Sequence, residues 1–227
     1  MASTPQVAPR RLTADARRQR LLAAALKLFS RQGYQGTTTK QIAHAAGVTE
    51  AIVFRHFPRK EDLYWAVIAA QCAVHDGRPK LQQLLRTDPD RPDADVFTAI
   101  AEDILRRNTK NRDLSRLLLF SALENHKLSH RFFRTYISEY YEVVAQRIRE
   151  RIRSGRFRDV DPLLAARSFI GMFFYHFLIQ ELFGGKKVQE FDPAEVSRIL
   201  TLVWLEGMTA DSDPARNGHS KNGKSPQ

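Results

Sequence analysis

The chain holds a single cysteine, Cys72, among 227 residues. It therefore has no internal disulfide and suits a reducing compartment, so a cytoplasmic location is expected. No secretory signal pattern opens the sequence. Glycine-rich phosphate loops and nucleophile elbows are absent, and acidic neighbours such as Glu61-Asp62 and Glu102-Asp103 read as helix surface. An enzyme is not expected, and neither is a bound cofactor. His126 and His130 with Glu124, or Cys72 with His75, supply too few ligands at unsuitable places for a metal. Valine and isoleucine are scattered, with no alternating runs and no hairpin turn pairs, which excludes a sheet. Acid is scarce at one end. Residues 1–60 contain Asp15 and Glu50 against eleven lysines and arginines, so +9 of the net +11 lies in the first quarter of the chain.

What is present is helical periodicity with clear punctuation. Leu21, Leu22, Ala25, Leu28 and Phe29 share one helical face, Thr13 is a cap and Gly33 a stop. A second helix begins at Thr38, with Gln41 placed to close a capping box, and carries Ile42, Ala43 and Ala46 inward. Gly47 supplies a left-handed turn. Thr49 can cap a third helix, with Val53 and Phe57 inward, Ala51 and Arg55 outward, and Glu50 at the leading end. Two short helices at this spacing form a helix-turn-helix, a unit that lays its second helix in a DNA major groove. The local excess of positive charge is the footprint of phosphate binding.

Further helices are expected near 60–76, 80–87, 94–109, 113–125, 128–154, 161–183 and 193–209. Gly77 and Pro79 break the first of these from the next. Asp161-Pro162 and Asp192-Pro193 place a cap before proline at the first helical position. The division expected is a disordered basic arm over 1–12, a DNA-binding domain over 13–59, a helical domain over 60–210 and a disordered tail over 211–227.

The segment 161–183 is apolar on nearly every side. His176, Gln180 and Glu181 interrupt it as a membrane span. It is therefore expected to pack on its own domain on one side and on a second subunit on the other, with 193–209 supplying the neighbouring face of a four-helix bundle. The second domain is also rich in aromatics. Phe97, Phe120, Phe132, Phe133, Tyr136, Tyr140, Tyr141, Phe173, Phe174 and Phe177 are candidates to line a cavity, and each is equally a candidate for solid core. His176, Gln180, Glu102, Asn125 and Glu139 are the polar groups that would set ligand specificity.

The run from Tyr34 to Thr49, followed by Phe54-Arg-His-Phe-Pro-Arg-Lys-Glu-Asp-Leu63, resembles the DNA-binding domain of the TetR-type transcriptional regulators. The likeness covers about residues 13–64. It implies an all-α fold, a homodimer on a palindromic double-stranded operator, and a C-terminal domain that binds a small-molecule effector and usually confers repression. Carried over by position, it implies that Thr38, Lys40, Thr49, His56 and Lys60 meet phosphates and that Glu50, Ala51 and Arg55 face bases. Three positions depart: Phe54 stands where tyrosine is usual, Ala51 where glycine is common, and Arg59 where serine caps the next helix. The ligand pocket is expected among Phe97, Phe120, Phe133, Tyr136, Tyr140, Phe173, His176 and Phe177. The alternative is an architectural or protein-controlled DNA-binding regulator with no small ligand.

Overall fold

The structure is a computed structural model, and it describes residues 13–74, 76–86, 91–124 and 127–210. The arm over 1–12, the tail over 211–227, His75, Asn125 and His126 lie outside the described residues. Among the described residues eleven α-helices follow one another: α1 Ala14–Gln32, α2 Thr39–Ala46, α3 Glu50–His56, α4 Lys60–Val74, α5 Arg78–Arg86, α6 Asp93–Lys110, α7 Arg112–Leu123, α8 Lys127–Phe132, α9 Ser138–Arg153, α10 Pro162–Phe177 and α11 Pro193–Met208. They fall within a few residues of the ranges expected from periodicity. The fold is all-α. The only strand-like pairing among the described residues is an isolated antiparallel bridge between Phe157 and Thr209.

The helix ends obey local chemistry. Ala16 N–H donates to Thr13 Oγ1 at 3.2 Å. Thr38 and Gln41 form the full capping box. Asp161 Oδ1 accepts from Leu164 N–H at 2.6 Å, with Pro162 next in line. Thr49 departs from expectation: it occupies the N-cap of α3, but its hydroxyl makes no capping hydrogen bond. Two π-helical turns were not anticipated. Phe133–Ile137 joins α8 to α9, and Leu178–Leu182 extends α10. Each inserts a wider turn into an apolar run whose pattern still reads as helix.

Two compact units result. The first holds the chain up to Val74 together with Asp113–His130; the second holds His75–Arg112 and Arg131 onward. Thus α4 and α7 pack with α1–α3, whereas the sequence division places both in the second domain. In the first unit, Leu21, Ala25, Phe29, Ile42, Val53, Leu63, Tyr64, Ile68 and Leu117 are fully buried. In the second, α6, α9, α10 and α11 enclose a core of Phe97, Ile100, Val144, Ile148, Phe169, Phe173 and Trp204.

α10 is not buried on all sides of its own unit. Ala165, Ala166, Phe169, Ile170, Phe173 and Phe177 are inward, while Leu163, Leu164, Phe174 and Tyr175 are exposed. Pro162–Leu182 is long and apolar enough to cross a membrane by length and composition. Its inner stripe, however, is packed against α6 and α9 in the core.

Candidate functional site

The helix-turn-helix is built around Gly47, whose φ of 68° is left-handed and strains any L side chain. Its N–H donates back to His44 O. This turn delivers α3 with Val53 and Phe57 inward and with Thr49, Ala51, Phe54 and Arg55 exposed. Thr38 and Lys40 are also exposed, at the start of α2. Lys40, Thr49 and Arg55 thus have polar groups open to a ligand from solvent.

Two other sequence candidates, Glu50 and Lys60, are already engaged. Thr39 Oγ1 donates to Glu50 Oε1 at 2.5 Å, which ties the first turn of α2 to the first turn of α3. One oxygen of Glu50 is therefore structural. Lys60 Nζ donates to Tyr34 O at 2.8 Å and Thr37 O at 3.0 Å, and sits 4.1 Å from the Tyr34 ring centre. Two of its three N–H groups lock the α1–α2 connection to α4. Burial holds its pKa below the usual lysine value, with Glu124 opposing that shift. The His56 Nε2 is buried with no hydrogen-bond partner, so that end of the ring does not face a phosphate. Arg59 departs from the serine pattern in a compensated way. Its backbone N–H and guanidinium both donate to Asp62, so Asp62 replaces the missing cap.

Residues of α7, and Glu124 just after it, hold this framework, and no motif in the sequence connects them with DNA. Glu124 accepts from Tyr34 N–H at 3.0 Å and Gln35 N–H at 3.2 Å. Arg116 Nε donates to Ser30 O at 3.0 Å, and Tyr64 O–H donates to Leu117 O at 3.2 Å. Gly33, at φ 72°, lies against Glu124; a Cβ there would stand 2.3 Å from Oε1. Phe29, Tyr34 and Tyr64 stack edge to face or offset beneath the connection. No local motif signals the Glu124 contact, which spans 90 residues.

The eight pocket candidates do not share one environment. Phe120 belongs to the first unit and the other seven to the second. Phe97 is fully buried and packs on Phe169 at 5.1 Å and Trp204 at 4.9 Å between ring centres. Phe173 stacks edge to face on Phe169, and Phe177 is buried beside Phe174. Phe133 is exposed, near Tyr141, with the Arg167 guanidinium over both rings. Tyr136 and Tyr140 are half-buried. Arg107 donates to the Tyr140 hydroxyl at 2.6 Å, and burial pushes that phenol up to about 12. His176 lies 5.9 Å from Phe191, and burial lowers its pKa. A separate cleft of about 480 Å³ is lined by Asp76, Arg78, Pro79, Gln82, Glu139, Glu142 and Val143. Most of its lining residues are charged or polar, and Arg78 is held there by both Asp76 and Glu139; of the sequence candidates only Glu139 reaches it.

A helix-turn-helix whose second helix exposes Arg55, at the end of the chain where the positive charge is concentrated, defines a transcriptional regulator that binds DNA. Comparison with known proteins agrees. Residues 21–67 match the bacterial regulatory proteins of the tetR family, and residues 95–201 match the AefR-like transcriptional repressor C-terminal domain. The chain belongs to the TetR family of transcriptional regulators. It is 24% identical over 202 residues to the HTH-type transcriptional regulator YvkB of Bacillus subtilis, covering 85% of this chain and 97% of that protein. To SrpR of Pseudomonas putida it is 27% identical, covering 70% and 71%. In fold it is similar to AibR, solved with isovaleryl coenzyme A and operator DNA, at a TM-score of 0.63 and 20% identity over 82% of this chain and 97% of that one.

Proposed function

We propose that this regulator is a homodimeric repressor that a small effector releases from a palindromic operator. The observation that carries the reading is the exposed set Thr38, Lys40, Thr49, Ala51 and Arg55 on the helix-turn-helix. Arg55 donates to a base edge, while Lys40, Thr49 and the remaining N–H of Lys60 meet phosphates. Phe54, 45% exposed on the same face, adds apolar contact of the kind thymine methyl groups accept. Glu50 and Thr38 act mainly by holding α2 and α3 in register.

Dimerisation is supported by the stripe Leu164, Phe174 and Tyr175 on α10, beside Ile199, Leu202 and Val203 on α11, all exposed. Exposed apolar side chains on two helices in contact with each other are suited to packing against another surface. In a two-fold dimer on successive major grooves the recognition helices stand about 34–36 Å apart. The effector reading rests on the half-buried rings Tyr136 and Tyr140 and on Phe133 and His176, rather than on Phe97 or Phe173. Repression is in keeping with the matched C-terminal domain, and AibR, solved with isovaleryl coenzyme A, makes that thioester a first probe.

The DNA test is Arg55→Ala. It is expected to weaken operator binding by about 1–3 kcal/mol and to relax preference at one base position. Unchanged sequence preference in a selection from random duplexes would remove Arg55 from the bases. The effector test is reciprocity: isovaleryl coenzyme A, or another hit from a thioester and aromatic-acid screen, must bind less tightly in the presence of operator duplex. Equal affinities with and without DNA would refute release.

A further inference from the structure

We propose that Arg18, on α1, is a DNA-phosphate ligand set beside the C-terminal end of the recognition helix α3. The inference rests on DNA binding and not on the effector or dimer readings. Among residues 38–60 the lysines and arginines are Lys40, Arg55, Arg59 and Lys60. Two of them are turned to internal contacts: Arg59 pairs with Asp62, and Lys60 donates to the Tyr34 and Thr37 carbonyls. The helix-turn-helix therefore leaves little unopposed charge of its own for the DNA backbone. Helix α1 carries five cations, Arg17, Arg18, Arg20, Lys27 and Arg31, against one carboxylate, Asp15. The larger reserve of phosphate-neutralising charge lies there.

Of these cations, Arg18 alone falls on the inward stripe of α1. It precedes Leu22 by one turn and Ala25 by two, and both of those are buried. At its level the stripe has run past the core, and Arg18 is exposed. Its guanidinium carbon stands 5.3 Å from the centre of the Phe57 ring. Phe57 is the C-cap of α3 and is itself buried. The ring holds the cation at the end of the recognition helix, where the carbonyl end of the helix dipole also favours it. That contact fixes position without supplying an acceptor. Arg18 forms no ion pair or hydrogen bond among the described residues, Asp15 one turn earlier included. A helix lying in a major groove has phosphates along both walls of the groove. A cation fixed beside the end of that helix meets the wall, where it adds affinity and orientation but reads no base.

The test is binding of the full-length protein to two duplexes over a range of chloride concentrations. One duplex is the sequence most enriched from a random pool, and the other is an unrelated mixed sequence. Arg18→Ala should weaken both alike, by about tenfold per subunit near about 0.1 M salt, and lower the salt slope by about 1 per subunit. The sequence enriched by the variant should match that of wild type. Arg18→Lys keeps the charge and should retain the wild-type slope. Arg18→Gln keeps a stem over Phe57 without the charge. It should lose slope as Arg18→Ala does, and it covers the case in which Arg18→Ala does not fold. A side chain that merely covered Phe57 would lower the thermal midpoint of Arg18→Ala and leave the salt slope alone. A wild-type slope in the uncharged variants therefore overturns the proposal. So does a loss confined to the enriched duplex, which would make Arg18 a base contact.

Discussion

Removing the Glu124 carboxylate should loosen the DNA-binding framework without touching any DNA-facing residue. Its two oxygens accept the N–H groups of Tyr34 and Gln35, in the connection that presents the capping box of α2. Hydrogen bonds to a charged acceptor contribute about 1.5–3 kcal/mol each when buried, and less when partly open to solvent. The bond to Tyr34 is partly buried and that to Gln35 is exposed, so the pair is worth about 2–3 kcal/mol locally. Glu124→Gln keeps one acceptor and turns an amide donor toward the other N–H. It should cost about 1–2 kcal/mol, and Glu124→Ala somewhat more. Because Glu124 also favours the charged form of Lys60, the Lys60 bonds to Tyr34 and Thr37 should weaken in the same variants. The assay is hydrogen exchange at the Tyr34 and Gln35 amides, read beside operator affinity. In Glu124→Gln those amides should exchange about tenfold faster, since each 1.4 kcal/mol is a factor of ten. Operator affinity should fall while sequence preference stays the same. Unchanged exchange at both amides would show that the carboxylate contributes nothing to the framework, and the reasoning would fail.

Val203→Asp, on the exposed face of α11, should give a folded monomer with lost operator binding; sedimentation showing an intact dimer would move the interface elsewhere. Phe173→Asp should instead fail to fold, since that ring is wholly inside its own unit, and a folded monomer from it would contradict the core described above. Alkaline stability should decline over a defined window. Burial pushes Tyr64 up to about 12, so between pH 10 and 12 the unfolded chain loses this proton first, and stability falls as pH rises by on the order of 1–3 kcal/mol in all. Tyr64→Phe should flatten that slope in urea titrations at pH 9, 10 and 11, and an unaltered slope would assign it to other phenols such as Tyr140.

The DNA-binding half was legible because its signals are local. A cap and its box partner lie three residues apart, Gly47 sits where only a left-handed residue fits, and inward and outward positions on α3 differ in polarity. The long helices were legible for the same reason. Faces of α10 were not, because Phe173 and Phe174 are the same residue type; only packing tells that one is core and the other exposed. Arg59 was read as a lost cap, since the sequence does not say that Asp62 will turn back to bond its N–H. Lys60 is expected to meet a phosphate, and nothing in the sequence says that two of its N–H groups are given to the Tyr34 and Thr37 carbonyls.

The grouping of α7 with α1–α4 has a consequence for control. Arg116 and Leu117 of α7, and Glu124 just beyond its end, bond Ser30, Tyr64, and the Tyr34 and Gln35 amides, so the geometry of α2 and α3 is set partly by a segment that follows α6 in the chain. The polypeptide leaves this unit after Val74, returns at Asp113 and leaves again after His130. An effector that altered either excursion would therefore act on DNA binding through covalently continuous helices, α4 and α7. A tenfold change in operator affinity needs about 1.4 kcal/mol of coupling, which is less than the local worth of the Glu124 bonds estimated above. A modest change in how often that carboxylate engages its two amides is thus energetically sufficient, and Glu124→Gln should mimic effector binding in reduced measure. If the variant lost operator affinity yet kept the full effector response, the coupling would run through α4 alone.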